Sequence, residues 1–218
     1  MPGGAAWGYR SLDGRTTKPD EFVHSILKQL KKLAPSYDEK FYLYGHSAGA
    51  QFANHYLMVH PDRLKGVILS APAIYAMPDF DTVWPNGLKQ RERVLDWGDG
   101  PHPFKISHEK KKIVKAVQIP IAVVIGSKDT KHMSDKPQQG GTTRVARARH
   151  YVNSMTHFAT QNEVTSNVQL VLVPKIGHDS AGLTKAAGKS LIEIFRIQPN
   201  TNTNPSADTD TSNAKKSK

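Results

Sequence analysis

One stretch, FYLYGHSAGAQFANHYLMV at positions 41 to 59, constrains the fold of this chain more than any other. A strand-like run, Phe41 to Tyr44, gives way to a helix-like run, Ala48 to His60, that Pro61 ends. Between them Gly45, His46, Ser47, Ala48 and Gly49 match G-x-S-x-G. When a strand turns this sharply into a helix, the central serine takes strained backbone angles and its hydroxyl stands clear of the sheet. Side chains two positions to either side would collide there, so both Gly45 and Gly49 are expected to be needed as glycines. His46, the variable residue of the turn, is expected to pack and shape the site, with no part in proton transfer.

The rest of the chain supplies matching elements. Lys18 to Leu33 begins with Pro19, Asp20 and Glu21, which suit a first helical turn and its dipole. Phe22, Ile26, Leu30 and Leu33 then recur at helical spacing, joined by Val23 and Leu27, which predicts an amphipathic helix with one buried stripe. Gly66 to Ser70, Ile121 to Ile125 and Val168 to Val173 are nearly all apolar, as strands buried on both faces are. Arg144 to Thr156 and Thr184 to Phe195 read as helices. Strands alternating with helices predict an α/β fold with a mainly parallel sheet of about four strands. Residues 73 to 118 exceed an ordinary connection and hold Phe80, Trp84, Trp97 and Phe104, so they are expected to form a cap-like insertion whose aromatics line a substrate pocket. After Ile197 almost nothing can enter a core, which predicts one domain over 1 to 197 and a disordered tail over 198 to 218.

A serine hydroxyl is a poor nucleophile until a base takes its proton, and that base must be oriented and stabilised as it becomes charged. Downstream, IAVVIGSKDT runs to Asp129 just past one strand, and VQLVLVPKIGHDS runs to His178 just past another. Both fall at the carboxyl ends of strands, the edge where open parallel sheets bind ligands. Asp135 lies farther from its strand end, and Asp179 adjoins His178, where the two side chains diverge and the aspartate suits capping the next helix. His132, His150 and His157 lack the strand-end position and read as surface or helix residues. None of the ten histidines forms a zinc-binding spacing, so neither a metal nor another cofactor is expected.

Composition narrows the classes further. The 218 residues suit one domain, and with no cysteine there is no disulfide, thiolate metal site or cysteine nucleophile. The longest apolar runs fall far short of the roughly 20 residues that span a bilayer, and the first residues lack a secretory leader pattern. As written, the chain is expected in the cytoplasm, or in the periplasm or medium if its true N-terminus lies upstream. The net charge of +11 gathers in Lys105, Lys110, Lys111, Lys112 and Lys115 and in Arg144, Arg147 and Arg149. Neither cluster is interleaved with stacking aromatics, so both read as solvated helix faces and nucleic acid is not the expected partner.

YGHSAGAQFA, AIYAMPDF, WPNGL, GSKDT, QQGGTTRVARARHY and PKIGHDS together resemble the α/β-hydrolase superfamily. More closely, they resemble bacterial serine esterases related to polyhydroxybutyrate depolymerases. The resemblance runs from about the first helix to Phe195. It implies Ser47, Asp129 and His178 as nucleophile, acid and base, and Ala48 N–H as an oxyanion donor. It implies a small or polymeric ester as substrate. The segment with Arg144 and Arg147 matches as well and reads as support for the site. Only about 40 residues precede the elbow strand, with no room for the strands the resemblance places ahead of it. The chain therefore looks like the C-terminal half of the fold, without the loop that carries the second oxyanion donor. Loss of one such donor costs about 10²- to 10³-fold in turnover. The elbow strand becomes a sheet edge that a second copy or a partner chain would cover. The alternative to an active esterase is an impaired remnant that binds or assembles through that edge.

Overall fold

The computed structural model describes residues 8–12, 19–90, 93–96, 101–104 and 108–197. Trp97, Lys105 and the tail expected over 198–218 lie outside the described residues. In chain order the elements are α1 (Pro19–Leu33), β1 (Phe41–His46), α2 (Ala48–Val59), β2 (Leu64–Ser70), β3 (Arg93–Asp96), β4 (Pro101–Phe104), α3 (Lys110–Gln118), β5 (Ile121–Gly126), α4 (Arg144–Gln161), β6 (Val168–Val173) and α5 (Ser180–Ile197). β1, β2, β5 and β6 form one sheet in the order β1-β2-β5-β6, every neighbouring pair parallel. β3 and β4 form a separate antiparallel pair.

The strand sequences explain this order. All six residues of β5, IAVVIG, are buried, and β2 is buried except at Lys65, so these apolar runs take the sheet centre, covered on both faces. Fully burying each such Val, Ile or Leu contributes about 1.5 to 3 kcal/mol. α2 is buried almost all round, from Ala50 and Ala53 to Tyr56, Leu57 and Met58, as a helix covered on several sides must be. Part of its cover is the segment after β2. There Trp84 packs edge-on against His55 at 4.7 Å, and its indole N–H donates to the Ser11 carbonyl at 3.1 Å.

Buried amides tie that segment down. Asn54 accepts from the Ala76 N–H at 2.6 Å and donates to the Tyr151 hydroxyl at 2.9 Å. Gln139 accepts from the Tyr75 N–H and donates to the Tyr75 carbonyl, both at 2.8 Å, so one side chain satisfies both backbone groups of a buried residue. Within the stretch read as a cap-like insertion, α3 buries Ile113, Ala116 and Val117 in the main core. Its lysines do form a solvated face: Lys111 and Lys112 pair with Glu109, and Lys115 pairs with Asp62.

Two expectations are corrected. The stripe Phe22, Ile26, Leu30 and Leu33 on α1 is exposed, Phe22 by 62% and Leu33 by 85%, while Leu27 is the buried apolar residue of that helix and Val23 packs at the core margin. α1 docks through polar contacts instead: His24 Nε2 meets the Tyr56 hydroxyl at 3.0 Å, and His60 Nε2 meets Asp20 Oδ2 at 2.7 Å. The face that carries His24 and Leu27 is the one turned to the domain, and β1 is the edge of the sheet, with no strand beyond it among the described residues. The arginine cluster is not a solvated face either. Arg147 is 1% exposed, and only Arg149 points outward. Among the described residues no helix is long and apolar enough to cross a membrane.

The exposed stripe sets a stability contrast. Phe22→Ser and Ile26→Ser are expected to change unfolding free energy by about 0.5 kcal/mol or less, whereas Leu57→Ala on α2 costs about 2 to 5 kcal/mol. Urea unfolding of the three variants checks this.

Candidate active site

Ser47 sits between β1 and α2 with φ 52° and ψ −110°, a region that costs a non-glycine residue about 1 to 3 kcal/mol. Its N–H donates to the Ser70 carbonyl at 2.7 Å, and its carbonyl accepts from the Gln51 N–H at 3.2 Å. The two flanking glycines differ. A β-carbon on residue 45 would lie 2.2 Å from the Gly49 carbonyl oxygen, so only glycine lets the helix start so close to the strand. A β-carbon on residue 49 would meet nothing within 4 Å, so the expected steric need for Gly49 is corrected. The Ala48 N–H lies in the first turn of α2, where donors have no intrahelical acceptor and the helix dipole is positive.

The structure brings together the three residues singled out from sequence. His178 Nε2 lies 3.1 Å from Ser47 Oγ, and His178 Nδ1 lies 2.8 Å from Asp129 Oδ2. The Asp129 side chain is 1% exposed, while His178 and Ser47 border solvent. The loops after β5 and β6 are bonded to each other: Ser127 N–H donates to the Val173 carbonyl, Lys128 N–H to the Ile176 carbonyl, and Lys175 N–H to Ser127 Oγ. Gly126 makes this crossing possible, since a β-carbon there would sit 2.3 Å from the carbonyl oxygens of Ile176 and Gly177.

His46 Nδ1 lies 3.0 Å from Ser70 Oγ, and its ring stands 5.1 Å from that of His178. Burial, then the neighbouring His178 and Arg144, hold the pKa of its imidazole below the ordinary histidine value. Asp179 Oδ2 accepts from the Gly182 N–H at 2.7 Å and caps α5, as its place beside His178 suggested. Asp135 and His132 are exposed, and His150 and His157 lie along α4.

Sequence reasoning left Arg144 and Arg147 without specific partners. Arg144 Nη1 donates to Asp129 Oδ1 at 3.1 Å. Arg147 donates to the carbonyls of Gly141, Ala73 and Ser134 at 2.8, 2.7 and 2.6 Å, joining the start of α4 to the loops after β2 and β5. Of the aromatics expected to line a pocket, Trp84 is core and Phe80 borders a cavity of about 710 Å³ with Phe158, His150 and His157, while Trp97 lies outside the described residues. Ser47, Asp129 and His178 are not among the residues lining it. No group of metal-ligating side chains occurs among the described residues.

Four parallel strands flanked by helices, with a strained serine at a strand-to-helix turn and an acid and a histidine past later strand ends, constitute part of an α/β-hydrolase fold. Residues 8–98 match the family described as serine aminopeptidase, S33. Among solved structures, the chain is similar to poly(aspartic acid) hydrolase-1 from Sphingomonas sp. KT-1, at 22% identity and TM-score 0.66, over 84% of this chain and 70% of that one. It is similar also to LpqC, a poly(3-hydroxybutyrate) depolymerase from Bordetella parapertussis, at 24% identity and TM-score 0.65, over 88% of this chain. It spans only 65% of LpqC's length. No curated protein matches it.

The asymmetry of the two glycines is testable. Gly45→Ala is expected to destabilise the protein by at least about 1 to 3 kcal/mol through forced overlap. Gly49→Ala, at an open helical position, is neutral or stabilising by up to about 1 kcal/mol. Denaturant midpoints of the two variants give the comparison.

Proposed function

We propose that this protein is a serine hydrolase that cleaves carboxylic esters through an acyl-enzyme on Ser47. The observation that carries the reading is the position of His178, with Nε2 at 3.1 Å from Ser47 Oγ and Nδ1 at 2.8 Å from a buried carboxylate. His178 Nε2 accepts the Ser47 proton as Oγ attacks the ester carbonyl. The tetrahedral oxyanion is stabilised by the Ala48 N–H at the positive end of α2. As the intermediate collapses, His178 protonates the departing alcohol and Ser47 remains acylated. Water then enters, gives a proton to His178 and attacks the acyl carbon. Collapse of the second intermediate releases the acid and returns the proton to Ser47. Asp129 fixes the tautomer with Nδ1–H and stabilises the imidazolium. These steps require no cofactor.

The name of LpqC describes cleavage of a polyester, which supports a polymeric ester alongside small esters as substrate, while that of the poly(aspartic acid) hydrolase describes cleavage of a polyamide. A second reading has its own observation, the β1 edge beside the exposed α1 stripe: a chain that assembles with a copy or partner through that side. Light scattering on the eluting protein separates the two, because an active species at the mass of one chain argues against assembly.

A fluorophosphonate probe is expected to label Ser47 and to leave Ser47→Ala unlabelled. His178→Ala is expected to lower p-nitrophenyl ester turnover by about 10⁴-fold or more. Folded protein that takes no label and turns over no ester overturns the hydrolase reading.

A further inference from the structure

The aspartate of the proposed triad is held from two sides, and the second side has no part in the steps just described. Oδ2 faces His178 Nδ1 at 2.8 Å, and Oδ1 accepts from Arg144 Nη1 at 3.1 Å. The carboxylate has almost no contact with solvent, and the Arg144 side chain is 17% exposed. Rotation of an aspartate carboxylate about χ2 is broad and roughly two-fold, so one hydrogen bond from an imidazole leaves its plane loosely defined. A partner on the other oxygen removes that freedom.

The placement of Arg144 runs against local helix preference. It is the first residue of α4, directly after Thr143, whose Oγ1 caps the helix by accepting from the Ala146 N–H at 3.2 Å. A cation in a first turn is opposed by the helix dipole by about 0.3 to 1 kcal/mol, and no acidic residue occupies that turn of α4 to offset it. Departures from a local rule are expected at functional sites, and here the compensating contact is the ion pair with Asp129. The platform beneath is rigid. Arg147, one turn on, is bound to three carbonyls. Gly140, at φ 73°, lies so close to α4 that a β-carbon would overlap the His150 ring at 2.1 Å.

We infer that Arg144 is a positioning residue: by holding Asp129 Oδ1 it fixes the carboxylate plane, so that Oδ2 meets His178 Nδ1 and Nε2 stays aimed at Ser47. This rests on the triad reading above. The test compares wild type with Arg144→Met, Arg144→Gln and Arg144→Lys in the full chain. For Arg144→Met, kcat toward the preferred p-nitrophenyl ester is expected to fall about 10²-fold, with KM within about twofold if Arg144 acts through Asp129 and not on the substrate itself. Arg144→Lys, which keeps a charged donor, is expected to recover part of the loss. The low-field proton resonance of His178 Nδ1–H reports the same contact without turnover. It is expected in wild type and Arg144→Lys, and lost or displaced in Arg144→Met and Arg144→Gln. Folded Arg144→Met with wild-type kcat and an unchanged resonance overturns the proposal. Should that variant fail to fold, the same two readings on Arg144→Gln decide it. If wild type shows no Ser47-dependent turnover, the esterase reading falls by itself, and the resonance comparison still decides whether Arg144 orders the Asp129–His178 pair.

Discussion

A positive φ at a serine persists only where its surroundings overdetermine it, and the rest of the site depends on how Ser47 is held. From the strand side, Gly45 lets the first turn of α2 press against β1 with no β-carbon between them. From the neighbouring strand, the Ser70 carbonyl takes the Ser47 N–H and the Ser70 hydroxyl meets His46. From the helix side, Gln51 N–H closes the first turn onto the Ser47 carbonyl. The register of β1 against β2, with Gly45 opposite Leu69 and His46 opposite Ser70, sets where all of these contacts fall. A slip of one residue would turn every side chain of β1 to the other face and separate Ser47 from its anchor.

The same backbone bonding continues past the strand ends and carries the turn's position across the sheet. Ser47 is bonded to Ser70, Ala71 to Val124, Ser127 to Val173 and Lys128 to Ile176, each through an N–H and a carbonyl. Together they link the loops that bear Ser47, Asp129 and His178 into one extension of the parallel sheet. Each such bond is worth about 0.5 to 1.5 kcal/mol net; its larger effect is positional. A histidine and an aspartate 49 residues apart in sequence meet at 2.8 Å because β5 and β6 are paired in register to Gly126 and Val173, and Gly126 leaves room for the crossing loop.

Much of this was legible in the sequence, and what was not has physical reasons. The four sheet strands show as short apolar runs because both faces of the central ones are covered, and strand ends in a parallel sheet mark the ligand edge, which singled out Asp129 and His178. The 3.6-residue period on α1 correctly gave a helix, but a period says which residues share a face and nothing about whether a neighbour covers it. Arg144 and Arg147 read both as part of a charged cluster and as support for the site, without partners, because those partners are a distant carboxylate and the carbonyls of residues 73, 134 and 141, gathered only by the tertiary fold. Gly49 looked equivalent to Gly45 because a motif is symmetric on paper. In space the helix approaches the strand from one side only.

The open edge of the sheet adjoins the candidate site, because Ser47 follows directly on β1, yet the hydrogen bonds that hold the site do not draw on α1. Ser47, Asp129 and His178 take their hydrogen-bond partners from β2, α2, α4 and the loops after β5 and β6, and none from α1. The exposed Phe22, Ile26, Leu30 and Leu33, and the edge of β1 that has no neighbouring strand among the described residues, therefore do not set the distances within the site. An apolar stripe of this kind favours contact with another surface, while a net charge of +11 opposes contact with a copy of itself. Because the bonded loops set the site from within, the distances among Ser47, Asp129 and His178 do not depend on what lies along that edge.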